Sequence, residues 1–118
     1  MSDDRVELED RADWRRWLRD NHASSHGIWL VTWKASAKRP RVDYDAAVEE
    51  ALCFGWVDSK SRAVDDSRTS IYFTPRTSKS SWSASNVARV EKLEANGLMR
   101  AAGRRAVQRA KEEGRWPT

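Results

Sequence analysis

One cysteine, two histidines, five glycines and three prolines are spread over 118 residues, and each scarcity removes a class of protein. With Cys53 alone, no internal disulfide can form, and its place beside Leu52 and Phe54 on an apolar helical side reads as a buried, inert thiol. His22 and His26 are four apart but straddle an expected helix end without an acidic third ligand close by, so no metal site is expected. The glycines at 27, 55, 97, 103 and 114 build neither a phosphate-cradling loop nor a dinucleotide fingerprint, and no cofactor is expected. None of the many serines sits in a G-x-S-x-G elbow, and the pairs Asp65-Asp66 and Glu112-Glu113 read as turn and surface residues. A binding protein is therefore expected before an enzyme, although the sequence leaves turnover open. Long apolar runs are missing too, which excludes a spanning helix. The opening MSDDRVELEDR has no apolar signal core, which points to the cytoplasm.

What the chain does have is tryptophan and charge. Seven tryptophans, 39% hydrophobic and 34% charged residues describe a folded domain, and the length suits one core. The net charge of +4 is unevenly spread: residues 1–59 hold 9 Lys/Arg against 12 Asp/Glu (−3), and residues 60–118 hold 13 against 6 (+7). A basic C-terminal half attracts phosphates or acidic partners.

Read in order, residues 1–9 are acidic and uncapped, a loose arm ahead of a core spanning 10–114 and a tail at 115–118. Asp10 caps a first helix whose apolar stripe is Trp14, Trp17 and Leu18, with Arg15, Arg16 and Arg19 facing away. GIWLVTWK, apolar on both faces, is a covered strand, and ASAKRPR is a polar connection. Asp43 caps a second helix with Tyr44, Ala47, Val48, Ala51 and Leu52 inward and Gly55 at its close. Strict alternation from Trp56 puts Asp58, Lys60, Arg62 and Val64 on one strand face with it. A turn at Asp65-Asp66-Ser67 leads to a second strand, Arg68 to Thr74, stopped by Pro75. After a polar loop from Arg76 to Ser81, Ser83 caps a third helix that Gly97 closes. Met99, Ala102, Gly103, Ala106, Val107 and Ala110 mark the inner face of a fourth, with Arg100, Arg104, Arg105, Arg109 and Lys111 outside. The expectation is one compact α+β domain of order α-β-α-β-β-α-α, with a small, mostly antiparallel sheet and about four helices. The small inward residues of the last helix imply close packing on the preceding helix or the sheet.

Chemistry concentrates around the hairpin. A shallow pocket is expected there, with Trp56 and Trp82 as its aromatic wall and Arg62, Arg76, Ser83 and Asn86 contacting a negatively charged or polar ligand at a helix N-terminus. Asp58 shares the strand face beside Trp56. The bland reading makes both tryptophans core anchors, Ser83 a cap and Asp58 an arginine's partner. The basic last helix offers the alternative of nucleic-acid binding, against which Glu112 and Glu113 interrupt the charge.

ALCFGWVDS at 51–59, YFTPR at 72–76, SSWSASN at 80–86 and the NGLM…AG pattern at 96–103 resemble the YdeI/OmpD-associated family of bacteriocin-protection proteins, as does WLRDNHASSHGIWLVTWK at 17–34. The resemblance covers residues 14–116 and implies a part in tolerance to bacteriocins or cationic antimicrobial peptides, without an established reaction. The matching positions are Gly55, Trp56, Asp58, Arg62, Phe73, Pro75, Arg76, Trp82, Ser83, Asn86 and Arg89. Val57 departs from the commoner isoleucine, and Asp43 from the usual hydroxyl cap. With no export signal, any link to the envelope is expected to be indirect or to run through a cytoplasmic partner.

Overall fold

Three short side chains start three of the helices. Asp10 accepts from Asp13 N at 2.8 Å to open α1 (Arg11–Asn21), and Asp43 accepts from Ala46 N at 2.8 Å to open α2 (Tyr44–Cys53). Ser83 accepts from Asn86 N at 3.1 Å to open α3 (Ala84–Ala95), while α4 (Ala101–Glu112) starts without a side-chain cap. Each cap satisfies an N–H that the first turn leaves orphaned. Gly55 closes α2 in the left-handed region at φ 77°, where a Cβ would also lie 2.9 Å from the Ala102 carbonyl oxygen.

These details come from a computed structural model that describes residues 4–77 and 79–117. Residues 1–3, Ser78 and Thr118, parts of the expected arm, loop and tail, lie outside the described residues. The architecture is α+β: four helices pack on a four-stranded mixed sheet of β1 (Arg5–Glu7), β2 (Ile28–Trp33), β3 (Trp56–Ala63) and β4 (Arg68–Pro75). Strand order is β1-β2-β4-β3, with β1 parallel to β2 and the other two pairings antiparallel.

β1 is an addition to the expected order, since the stretch read as a loose arm carries an edge strand. Trp29 N donates to Asp4 O at 2.9 Å and Leu8 N to Val31 O at 3.0 Å, so the edge of β2, not any local signal, orders these residues. The expected tail is also partly docked. Arg115 donates to Ser80 O at 2.9 Å, and the Trp116 ring lies 5.1 Å from that of Trp82.

Between the sheet and the helices lies an aromatic core of Trp14, Trp56 and Phe73, all at most 1% exposed. Trp17 covers it, stacked on Trp14 at 5.6 Å and edge-on to Trp56 at 5.8 Å. Tyr44, expected on the inner face of α2, is 51% exposed. Its hydroxyl donates to Asp58 at 2.9 Å, a polar contact that an inward ring would forfeit.

Charge enters this core more deeply than alternation suggested. Arg15, expected to face outward, turns in to donate to Glu50 and to Leu98 O, both at 2.7 Å. Glu50 is 3% exposed and also accepts from Arg11 at 2.8 Å, while Glu49 takes Arg11 at 3.0 Å and Lys92 at 2.8 Å. The network ties α1, α2 and α3 together, and removing one partner would leave another charge buried.

Acid should loosen this tie. Burial pushes the Glu49 carboxyl up, but the hydrogen bonds from Lys92 and Arg11 outweigh it and hold the group below its ordinary value. A depressed carboxylate stabilises the fold above its unfolded value and loses that contribution as pH falls through the folded one. Chemical denaturation between pH 7 and pH 3 should therefore show falling stability with acid, and Glu49→Gln should flatten the slope while weakening the fold at pH 7. Identical slopes for the two proteins would remove Glu49 from the account.

Candidate functional site

Arg76 follows β4 directly and is fixed on three sides. Its backbone N–H donates to Gly55 O at 2.9 Å, its Nη1 donates to Ser81 O at 3.0 Å, and its guanidinium carbon lies 3.7 Å from the centre of the Trp82 ring. The residue is 7% exposed. Its Nε and Nη2 are buried and have no hydrogen-bond partner among the described residues. Those two nitrogens form one edge of the guanidinium, the parallel N–H fork that matches the two oxygens of a carboxylate or phosphate.

A buried charge without a carboxylate is costly, and the titration of Arg76 reflects it. Burial lowers its pKa to about 10, with Asp58 opposing the shift and the Arg115 charge adding to it. It stays cationic at neutral pH. Both free nitrogens are sealed from solvent as the structure stands, so an anion takes this edge only when the guanidinium turns outward or the wall beside it gives.

Arg76 lines a cleft of about 550 Å³, within the range of small-molecule sites. One wall is the end of the sheet and the α2 turn: Phe54, Gly55, Trp56 and Pro75. α4 contributes Ala102, Arg105, Ala106, Gln108, Arg109 and Glu112, and His22 and Ala23 complete the lining. α4 is held there by its start: Arg100 N donates to Cys53 O at 3.0 Å, satisfying a carbonyl at the end of α2, and Gly103 abuts the same turn. His22 Nδ1 lies 2.7 Å from Leu18 O, a carbonyl that only accepts, so Nδ1 carries the hydrogen and Nε2 is left as the acceptor in the neutral ring. No hydroxyl, thiol or amine belongs to the lining. Cys53 is fully buried in the core, and burial pushes its thiol up.

The residues singled out in the sequence are dispersed around this cleft rather than gathered in it. Trp56 and Arg76 line it, and Trp82 backs the Arg76 guanidinium. Asp58 is held by Tyr44 at the edge of α2. Ser83 and Asn86 are engaged in capping α3, and Arg89 donates to Asn86 at 3.1 Å and to Asp45 at 2.7 Å. Arg62 is elsewhere. A bulge between Asp58 and Lys60 breaks the alternation of β3, pairing Asp58 with Phe73 but Lys60 with Tyr72 and Arg62 with Ser70. Phe73 belongs to the core, so Lys60 and Arg62 emerge on the opposite face, where Arg62 lies 4.2 Å from the Trp29 ring and Lys60 5.1 Å from that of Tyr72. The expected single face from Trp56 to Val64 is thus split in two.

Sequence reasoning did not bring His22, Arg105 and Arg109 to this place. The arginines were visible as a basic helix face, but only the packing of α4 on the α2 turn directs that face toward Arg76. Among the described residues there is no group of three His, Cys, Asp or Glu side chains placed to hold a metal ion, and no helix is long and apolar enough to cross a membrane.

Fold and site together define a small α+β domain with an arginine-anchored cleft. The chain belongs to the family described as a domain of unknown function (DUF8412), whose family model matches residues 6–106, from β1 into α4. No curated protein and no solved structure matches it.

Proposed function

We propose that this protein is a non-enzymatic binding protein whose cleft takes a small anionic ligand, with Arg76 as the anchor. The observation that carries the reading is the free Nε/Nη2 edge of a 7%-exposed guanidinium whose plane is set by Trp82 and whose rotation is set by Ser81. An anion that reaches this edge as the wall beside it gives meets a fork backed by Trp82, and relief of the unpaired buried charge adds to the affinity. Binding without turnover is supported by a lining made mainly of cations and apolar surface, with no hydroxyl, thiol or amine to act as a nucleophile.

The setting we propose is the one implied by the resemblance to the YdeI/OmpD-associated family: peptide tolerance, exercised within the cytoplasm through an anionic ligand or a protein partner. A cationic peptide is not drawn to a cleft of net positive charge, which argues for an indirect role. Duplex nucleic acid fits less well, because Arg104 is held by Glu94 at 2.8 Å and Glu112 stands in the cleft lining.

Trp82 reports on the anchor because it is stacked against it. Titration of its fluorescence with short carboxylates and inorganic phosphate should saturate in the wild-type protein. Arg76→Lys keeps the charge but loses the fork, and should weaken the response about 10- to 100-fold, the equivalent of one charge-assisted hydrogen bond of about 1.5–3 kcal/mol. Circular dichroism establishes that the variant is folded. Equal affinity in the folded lysine variant would reduce Arg76 to a structural anchor of its loop.

A further inference from the structure

Carboxylates or backbone carbonyls engage most arginines of this chain. Arg11, Arg15, Arg16, Arg19, Arg68, Arg89, Arg104 and Arg115 each have an acidic partner, and Arg100 donates to the carbonyls at the end of α3. Among the described residues Arg39, Arg41, Arg62, Arg76, Arg105 and Arg109 show no ion pair, and the last three of these line the same cleft. Arg105 and Arg109 are one helical turn apart on α4, so their side chains stand on one face. Glu112 is the single carboxylate of the lining, leaving three guanidinium groups against one acid, a net of +2 with His22 neutral. The apolar part of the lining includes Phe54, Trp56, Pro75, Ala102 and Ala106.

From this arrangement we infer that the ligand is a small dianion with an apolar body, one oxyanion seated on the Arg76 fork and the other held by Arg105 and Arg109. The inference rests on the reading of Arg76 as an anion anchor and specifies what that anchor is for. A net of +2 is neutralised by two negative charges, and a monoanion would leave the cleft with a net of +1. A polyanionic chain would carry further charges along the cleft toward Glu112, which repels them. Glu112 follows Arg109 on the same helix face and so limits the ligand to a short one. The apolar walls give the body of the molecule a dry surface, which free phosphate or sulfate cannot use.

The test compares matched pairs by calorimetry at constant ionic strength. The probes are α,ω-dicarboxylates of four to eight carbons against the corresponding monocarboxylates, and terephthalate against benzoate, with inorganic phosphate alone as the bare anion. At least one dianion should bind ten-fold or more tightly than its monoanionic partner, and the double variant Arg105→Gln, Arg109→Gln should erase that advantage while leaving monoanion binding in place. If dianions have no advantage, or the double variant preserves it, the dianion inference is overturned. Should Arg76→Lys still weaken every probe in that case, the anchor reading stands alone. If no probe binds the wild-type protein, or Arg76→Lys changes nothing, both fall together.

Discussion

Replacing Trp14 by alanine is expected to cost about 3–5 kcal/mol, a large part of the roughly 5–15 kcal/mol that holds a domain of this size. The indole is fully buried, so its removal opens a cavity in the core shared by α1, α2 and the sheet. Its Nε1 donates to Ala47 O at 3.0 Å, and the truncation also leaves that buried carbonyl without this donor. The stack with Trp17 at 5.6 Å and the tilted contact with Phe73 at 5.1 Å disappear as well. Trp14→Phe separates these contributions, since it keeps most of the volume and loses the hydrogen bond. Urea unfolding should place the phenylalanine variant well between wild type and alanine. A loss under about 1 kcal/mol for alanine would mean that the ring does not organise the core.

Gly103→Ala should be nearly as damaging, for the opposite reason. An added methyl would overlap the carbonyl oxygen of Cys53 and lie 2.7 Å from that of Leu52, both backbone atoms at the end of α2. Overpacking against a backbone costs about 3 kcal/mol or more, against which alanine's better helix propensity returns about 1. The net loss of about 2 kcal/mol should be joined by weaker anion binding, because α4 can relieve the overlap only by moving away from the α2 turn and taking Arg105 and Arg109 with it. Thermal unfolding and Trp82 fluorescence on the same samples read both effects. An alanine variant that keeps wild-type stability would show that α4 and α2 are not packed this closely.

Local chemistry was readable from the chain, and distant contacts were not. Asp10, Asp43 and Ser83 announce helix starts because a cap bonds to its own first turn, and Asp65 marks its turn by accepting from Ser67 and Arg68 two and three residues on. β1 gave no such sign, since three residues become a strand only when β2 offers an edge. Arg15 read as an outward-facing residue, and its turning inward depends on its meeting Glu50 across 35 positions. At the site, Arg76 and Trp82 stood out through the density of aromatic and basic residues near the hairpin. Arg62 stood out for the same reason but was misplaced, because alternation carries no mark of the extra residue in β3. His22, Arg105 and Arg109 reach the cleft through helix packing, which leaves no trace in residue spacing.

The bulge in β3 also makes side-chain direction behave as a reading frame. Loss of Ser59 alone would leave Lys60 opposite Tyr72 and Arg62 opposite Ser70, with every later residue facing as it now does. Loss of Ser61 instead would shift Arg62 opposite Ile71 and turn its guanidinium toward the helices. Within this one strand, then, neighbouring single-residue deletions have unequal consequences: one straightens the backbone and is silent for charge, and the other moves a cation into the core.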